Sequence, residues 1–166
     1  MNVIMSESPT PHDWKEVYHR AMVTVGSERV KDPDQEWKHA ILKAKHSPIR
    51  RLFFSFYIEC PYWVSVHLVR HIHAQPYVRS QRNDRQSKYD RTKAPQDEMV
   101  EMIWDMNAEE LMTIAEKRLC GKASPETREV VEAMCRRVEQ VYPEFKDLLA
   151  PHCKKYGCCI EMKPCK

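Results

Sequence analysis

Between His67 and Lys93 the chain carries seven Lys/Arg and three His against only two Asp. Such a local surplus of positive charge is suited to holding an anion. His67, Arg70, His71 and His73 come first, and imidazole beside guanidinium can bind phosphate or stabilise a developing oxyanion. Arg79, Arg82, Arg85, Lys88 and Arg91 follow. Tyr77 and Tyr89 are interleaved among them and could stack on a base or a planar cofactor. Arg118 stands apart, at the end of a predicted helix. Each of these has a plainer reading as well. A cation at a helix end stabilises the macrodipole without any ligand, and a charge run can be a solvated face or a nucleic-acid-binding arm.

A second cluster closes the chain. In APHCKKYGCCIEMKPCK, Cys153, Cys158, Cys159 and Cys165 are four soft donors with His152 beside them, a set that could hold zinc or an iron–sulfur cluster. Their C-x4-C-C-x5-C spacing is not that of two paired C-x2-C knuckles, so free thiols packed on the domain are the alternative. Cys60, Cys120 and Cys135 read as structural.

The elements that must position these residues follow from pattern. Asn2 to Met5 could be a short strand. A helix is predicted over PHDWKEVYHRAMVTVG, with Trp14, Val17, Tyr18, Ala21 and Met22 at helical spacing and Gly26 as its stop. A second helix follows Asp32 or Asp34 as N-cap, burying Trp37, Ile41 and Ala44. Leu52 to Ile58 reads as a buried strand ended by Pro61. Val64 to His73 reads as a helix with Val64, Leu68 and Ile72 on one face. Pro95 is expected to open a helix, PQDEMVEMIWDM, with acidic residues in its first turn. Asn107 can cap the next helix, with Glu110 in a capping-box position. Ser124-Pro125-Glu126 opens another, with the core stripe Val131, Met134, Val138 and Val141. The fold class is α+β and helix-rich, with a single domain over 1–149 and a Cys-rich tail over 150–166.

Composition narrows the function classes. With 42% hydrophobic and 31% charged residues, the chain is globular rather than disordered. The net charge of +3 is small, so positive charge is local and favours a small phosphate ligand over coating of nucleic acid. No signal peptide or membrane span is expected, and the seven cysteines should be reduced in a cytoplasmic setting. With three glycines there is no Gly-rich phosphate loop, so phosphate would be held by side chains and helix ends.

The order of features from His46 to about residue 145 resembles the flavin-dependent thymidylate synthases. The residues that carry the resemblance are His46, Phe54-Ser55-Phe56, Arg70-His71, Asn83-Asp84, Lys88-Tyr89, Asn107-Ala108 with Leu111-Met112, Arg118, and Ala123-Ser124-Pro125-Glu126. Departures are visible too. The second arginine of the family's R-H-R is Ile72, its glutamine three residues earlier is His67, and an expected acidic residue is Arg50. The loop before Asn83 is about six residues longer (by motif spacing), with Gln86 and Lys88 in place of the family's serine and arginine.

The resemblance implies a twisted, mainly antiparallel sheet with long helices. It also implies reductive methylation of dUMP to dTMP, with FAD as cofactor and methylenetetrahydrofolate and NADPH as co-substrates, in a homotetramer with shared active sites. Arg70, His71, Asn107 and His46 would then fall to the flavin. Arg118 would face the pyrimidine, and His67, Asp84, Ser87 and Lys88 would serve the nucleotide, with Arg118 and Lys88 nearest the chemistry. Two alternatives stay open: a related flavoenzyme acting on another pyrimidine nucleotide, or a non-catalytic nucleotide- or nucleic-acid-binding relative with a metal-binding tail. His46 can equally be a helix-terminal cation, and Asn107 caps a helix in any case.

Overall fold

The computed structural model describes residues 1–82, 84–85 and 89–165, and over these the chain is α+β. Four strands, β1 (Asn2–Glu7), β2 (Phe53–Pro61), β3 (Gln75–Val78) and β4 (Met99–Asn107), form an antiparallel sheet in the order β1-β2-β4-β3. The helices are α1 (Pro11–Val23), α2 (Gln35–Lys43), α3 (Tyr62–Leu68), α4 (Ala108–Arg118), α5 (Pro125–Val141) and α6 (His152–Tyr156). No helix among the described residues is long and apolar enough to cross a membrane.

Local signals explain most helix starts. Thr10 and Asp13 form a reciprocal capping box at α1, Asp34 caps α2, Asn107 caps α4 and Ser124 caps α5. Proline follows Thr10 and Ser124, where a missing N–H costs nothing. Gly26, just past α1, takes a positive φ of 66°, the left-handed conformation that suits a helix stop.

The strand pattern decides the core. On one face of the sheet Val3, Phe54, Phe56, Ile58, Met102, Trp104 and Met106 are buried, and the helices cover them. From α5, Val130, Val131, Met134, Cys135 and Val138 pack inward. The opposite face is open. There the register lines up Ile4, Tyr57, Ile103 and Tyr77 in one row across all four strands, and Ile4, Ile103 and Tyr77 are exposed.

Several expectations are corrected. The segment from Pro95 forms no helix, and Met99–Asn107 is the central strand β4, paired over nine residues with β2. Its Val100, Met102, Trp104 and Met106 alternate with exposed positions, and two flanking ladders outweigh the helical propensity of Met and Glu. The predicted Val64–His73 helix stops at Leu68, so Ile72 is 83% exposed rather than on its apolar face. Gln75–Val78 adds a strand that composition concealed. Leu42 replaces Ala44 in the core face of α2, and Val141 lies exposed past the buried stripe of α5.

Candidate functional site

The site is built around α4. Asn107 is both the last residue of β4 and the N-cap of α4, and its Oδ1 accepts the Glu110 backbone N–H at 3.0 Å. The central strand therefore fixes where Glu109, Glu110, Thr113 and Arg118 lie. Instead of closing a capping box, the Glu110 carboxylate turns inward, where its side chain is 7% exposed, and Oε1 lies 3.5 Å from His71 Nδ1.

His71 reaches this point because α3 ends early. Successive turns, His71 N–H to Leu68 O and Ala74 N–H to His71 O, carry its ring inward, edge-on to Trp104 at 6.0 Å. Arg118, the last residue of α4, donates from Nε to His71 Nε2 at 2.9 Å and from Nη2 to the His67 carbonyl at 2.8 Å. A guanidinium has no acceptor, so His71 Nε2 must present its lone pair and the ring proton must sit on Nδ1, toward Glu110. Four residues from three elements thus form one line: Glu110 carboxylate, neutral His71, Arg118, His67 carbonyl.

Arg118 is half-buried, and among the described residues no carboxylate pairs with it directly. Burial, and then the neighbouring charge of Arg70, push its pKa below the usual guanidinium range. Two of its five N–H donors are committed within the chain. The remainder belongs to a partly desolvated cation beside a second, exposed arginine, which is a setting that stabilises negative charge on a ligand.

Beside this line lies a cavity of about 380 Å³, walled by Arg50, His73, Asn107, Glu109, Glu110 and Thr113. Arg50 and Glu109 pair in bidentate fashion across it, through Nε to Oε2 and through Nη2 to Oε1 at 3.4 Å. The hydrogen bond from Arg50 holds the Glu109 carboxyl below the ordinary carboxylate range, despite partial burial. The volume sits at the small end of ligand pockets. The Asn107 amide nitrogen and His73 are donors of the kind that would meet the polar edge of a flavin ring. Two carboxylates on the walls do not suit its diphosphate, which would need cations outside this cavity.

The residues singled out by sequence divide clearly. His67, His71, Asn107 and Arg118 are linked through direct contacts and Glu110, and the exposed Arg70 is an electrostatic neighbour of Arg118. His67 contributes its carbonyl, while its ring is occupied by Thr127 Oγ1 at 3.3 Å and lies edge-on to Trp63. That side chain ties α3 to the start of α5 rather than facing a ligand. His46 is exposed and not among the cavity walls, at the start of a 3-10 turn (Ser47–Arg51), without a side-chain capping bond. Asp84 is exposed and ion-paired with Arg82. Lys88 and Ser87 lie outside the described residues.

Among the described residues no group of three or more His, Cys, Asp or Glu is placed to hold a metal ion. Cys153, Cys158, Cys159 and Cys165 are exposed free thiols. Cys153 and Cys159 line one small pocket with Cys120 and His152, Cys158 lies near His152, and Cys165 lies by Gly121.

Sequence reasoning missed Glu109, Glu110 and Thr113 as site residues and noted Arg50 only as a departure. A signal for Glu110 was present. A carboxylate amid the apolar positions Ala108, Leu111, Met112, Ile114 and Ala115 is out of place unless something meets it.

No curated protein matches the chain. Residues 89–144, about a third of its length, match the family model described as thymidylate synthase complementing protein. The match takes in β4, α4 and α5, and with them Asn107, Glu110 and Arg118, whereas His67, Arg70 and His71 precede it. Over this stretch the chain is similar to the flavin-dependent thymidylate synthases, the family that its motif order resembles.

Proposed function

We propose that this chain is a flavin-dependent thymidylate synthase-like enzyme that methylates dUMP to dTMP. FAD would be its cofactor, methylenetetrahydrofolate the one-carbon donor, NADPH the reductant and the cytoplasm its setting. The observation that carries this reading is Arg118: a half-buried guanidinium, aimed by His71 and the His67 carbonyl, with no direct counter-charge among the described residues. A pyrimidine activated at carbon 5 develops negative charge on its ring oxygens, which a fixed guanidinium stabilises. The flavin, when bound, would supply the hydride that completes the methyl group. Asn107 and Arg70 would orient its ring, and Lys88 with the surrounding arginines would take the nucleotide phosphate.

An oligomer suits this reading. The cavity is too small for FAD and a nucleotide together, so a neighbouring copy would supply further walls. The open sheet face, with its row Ile4, Tyr57, Ile103 and Tyr77, is the apolar surface such a homotetramer could bury. A second reading draws on Arg50 being committed to Glu109 and on Ile72 facing solvent: a relative that binds a different pyrimidine nucleotide.

The deciding experiment is an absorption spectrum of the purified protein before and after incubation with FAD and desalting, followed by dUMP titration of the flavin-loaded form. A retained band near about 450 nm that dUMP perturbs is expected. Colourless protein that takes up no FAD would overturn the proposal.

A further inference from the structure

We propose that Glu110 is a positioning residue for Arg118, acting through His71. The carboxylate holds the imidazole in its Nδ1–H tautomer, and the opposite nitrogen then accepts from the guanidinium. The inference rests on the reading of Arg118 as a substrate-facing group.

The geometry constrains the arrangement from both ends. Arg118 Nε can only donate, so the 2.9 Å contact requires a lone pair on His71 Nε2. A proton on Nδ1 then needs an acceptor in a place where little water reaches, since the His71 and Glu110 side chains are 10% and 7% exposed. Glu110 Oε1, 3.5 Å away, is the carboxylate oxygen that faces it. The other groups around Glu110 do not compete for this role. Asn107 Oδ1 is engaged by the Glu110 backbone, Arg50 is engaged by Glu109, and Thr113 donates to the Glu109 carbonyl. The imidazole also packs edge-on to Trp104, with ring centroids 6.0 Å apart.

Without Glu110, the buried Nδ1–H loses its acceptor. The ring is then free to take the other tautomer, whose Nε2–H opposes a guanidinium N–H. Donor against donor expels Arg118 from its aim, even though neither Arg118 nor His71 has changed. The carboxylate also balances the Arg118 charge at one remove, which is why the chain tolerates two arginines side by side here.

The test uses the full-length, flavin-loaded protein and two variants, Glu110→Gln and Glu110→Ala. Imidazole 15N chemical shifts read the His71 tautomer, with the His71→Gln spectrum assigning the resonance among the eight histidines. In the wild type, Nε2 is expected to be the bare, pyridine-like nitrogen. Glu110→Gln keeps an amide oxygen for Nδ1–H and should keep this tautomer and most of the turnover. Glu110→Ala should lose the tautomer and lower dUMP turnover roughly tenfold to a hundredfold, as removal of an outer partner does elsewhere. That loss should fall on kcat more than on KM, because the guanidinium matters most as charge develops. An Nε2–H tautomer in the wild type, or an unchanged His71 spectrum in Glu110→Ala, would overturn the proposal. So would turnover in both variants falling only in step with their thermal stability. If the wild type proved inactive toward dUMP, the functional reading would fall while the 15N result still judged the positioning role.

Discussion

Replacing Glu116 by Gln should loosen three segments at once. Its carboxylate accepts from Lys155 Nζ at 2.8 Å, from Lys45 Nζ at 2.9 Å and from Tyr156 hydroxyl at 3.2 Å. It thereby holds α6 and the turn after α2 onto α4. Lys45 takes part from a strained position, since its φ of 48° lies in the left-handed region disfavoured for a side chain. The Lys155 side chain is 8% exposed and Glu116 11%, so both charges are largely withdrawn from water, while Lys45 at 26% can rehydrate. Removing one partner of a buried pair costs about 3–5 kcal/mol. Because Gln still accepts one bond and Lys45 reaches solvent, we expect about 2–3 kcal/mol for Glu116→Gln. That corresponds to a fall in Tm of about 4–12 °C for a chain of this size. The double variant Glu116→Gln with Lys155→Met removes the stranded ammonium too, and should recover about 1 kcal/mol or more. Denaturant unfolding and hydrogen exchange of the α6 amides measure both. A Glu116→Gln loss below about 1 kcal/mol, or a double variant no more stable than the single one, would refute the argument.

The same carboxylate gives a pH dependence. Burial raises its pKa, but the hydrogen bonds and charges of Lys155 and Lys45 outweigh burial and hold it below the ordinary value of 4.5. A depressed carboxyl adds stability that is fully present above 4.5 and is lost as pH falls through the folded value. Amide exchange in α6 should therefore accelerate on acidification below that point, and in Glu116→Gln this acid step should be missing. Arg118→Lys keeps the charge but loses the fork that spans His71 and the His67 carbonyl. With the guanidinium no longer aimed, dUMP turnover should fall more in kcat than in KM, with the circular dichroism unchanged. Phe145→Ala removes a fully buried ring set edge-on to Phe54 at 5.7 Å, and should cost about 3–5 kcal/mol in denaturant unfolding. A thiol reagent should titrate four cysteines quickly in the native protein, Cys153, Cys158, Cys159 and Cys165. The rest should react only after unfolding, since burial excludes reagent and pushes the Cys60 thiol up to about 11 and Cys135 higher still.

What the sequence by itself determined was local. Asp34, Asn107 and Ser124 satisfy helix-end N–H groups within three residues of themselves, and so they were legible as caps without knowledge of any partner. The aromatic and β-branched run from Leu52 to Ile58 was legible as a buried strand from its own residue types. Motif order pointed to the family over a longer span than the matched residues 89–144. The tertiary structure decided the rest, because the deciding contacts are distant. Met99–Asn107 carries an acidic, Met-rich sequence that favours a helix on its own, and it becomes a strand only because β2 and β3 flank it. His71 looked like one face of a helix until α3 ended at Leu68 and swung it inward. Arg118 meets residues 47 and 51 positions earlier, and no spacing rule links them. Glu110 illustrates both limits: its backbone role as an N3 residue is written in the sequence, while its carboxylate has a purpose only where the fold sets His71 against it.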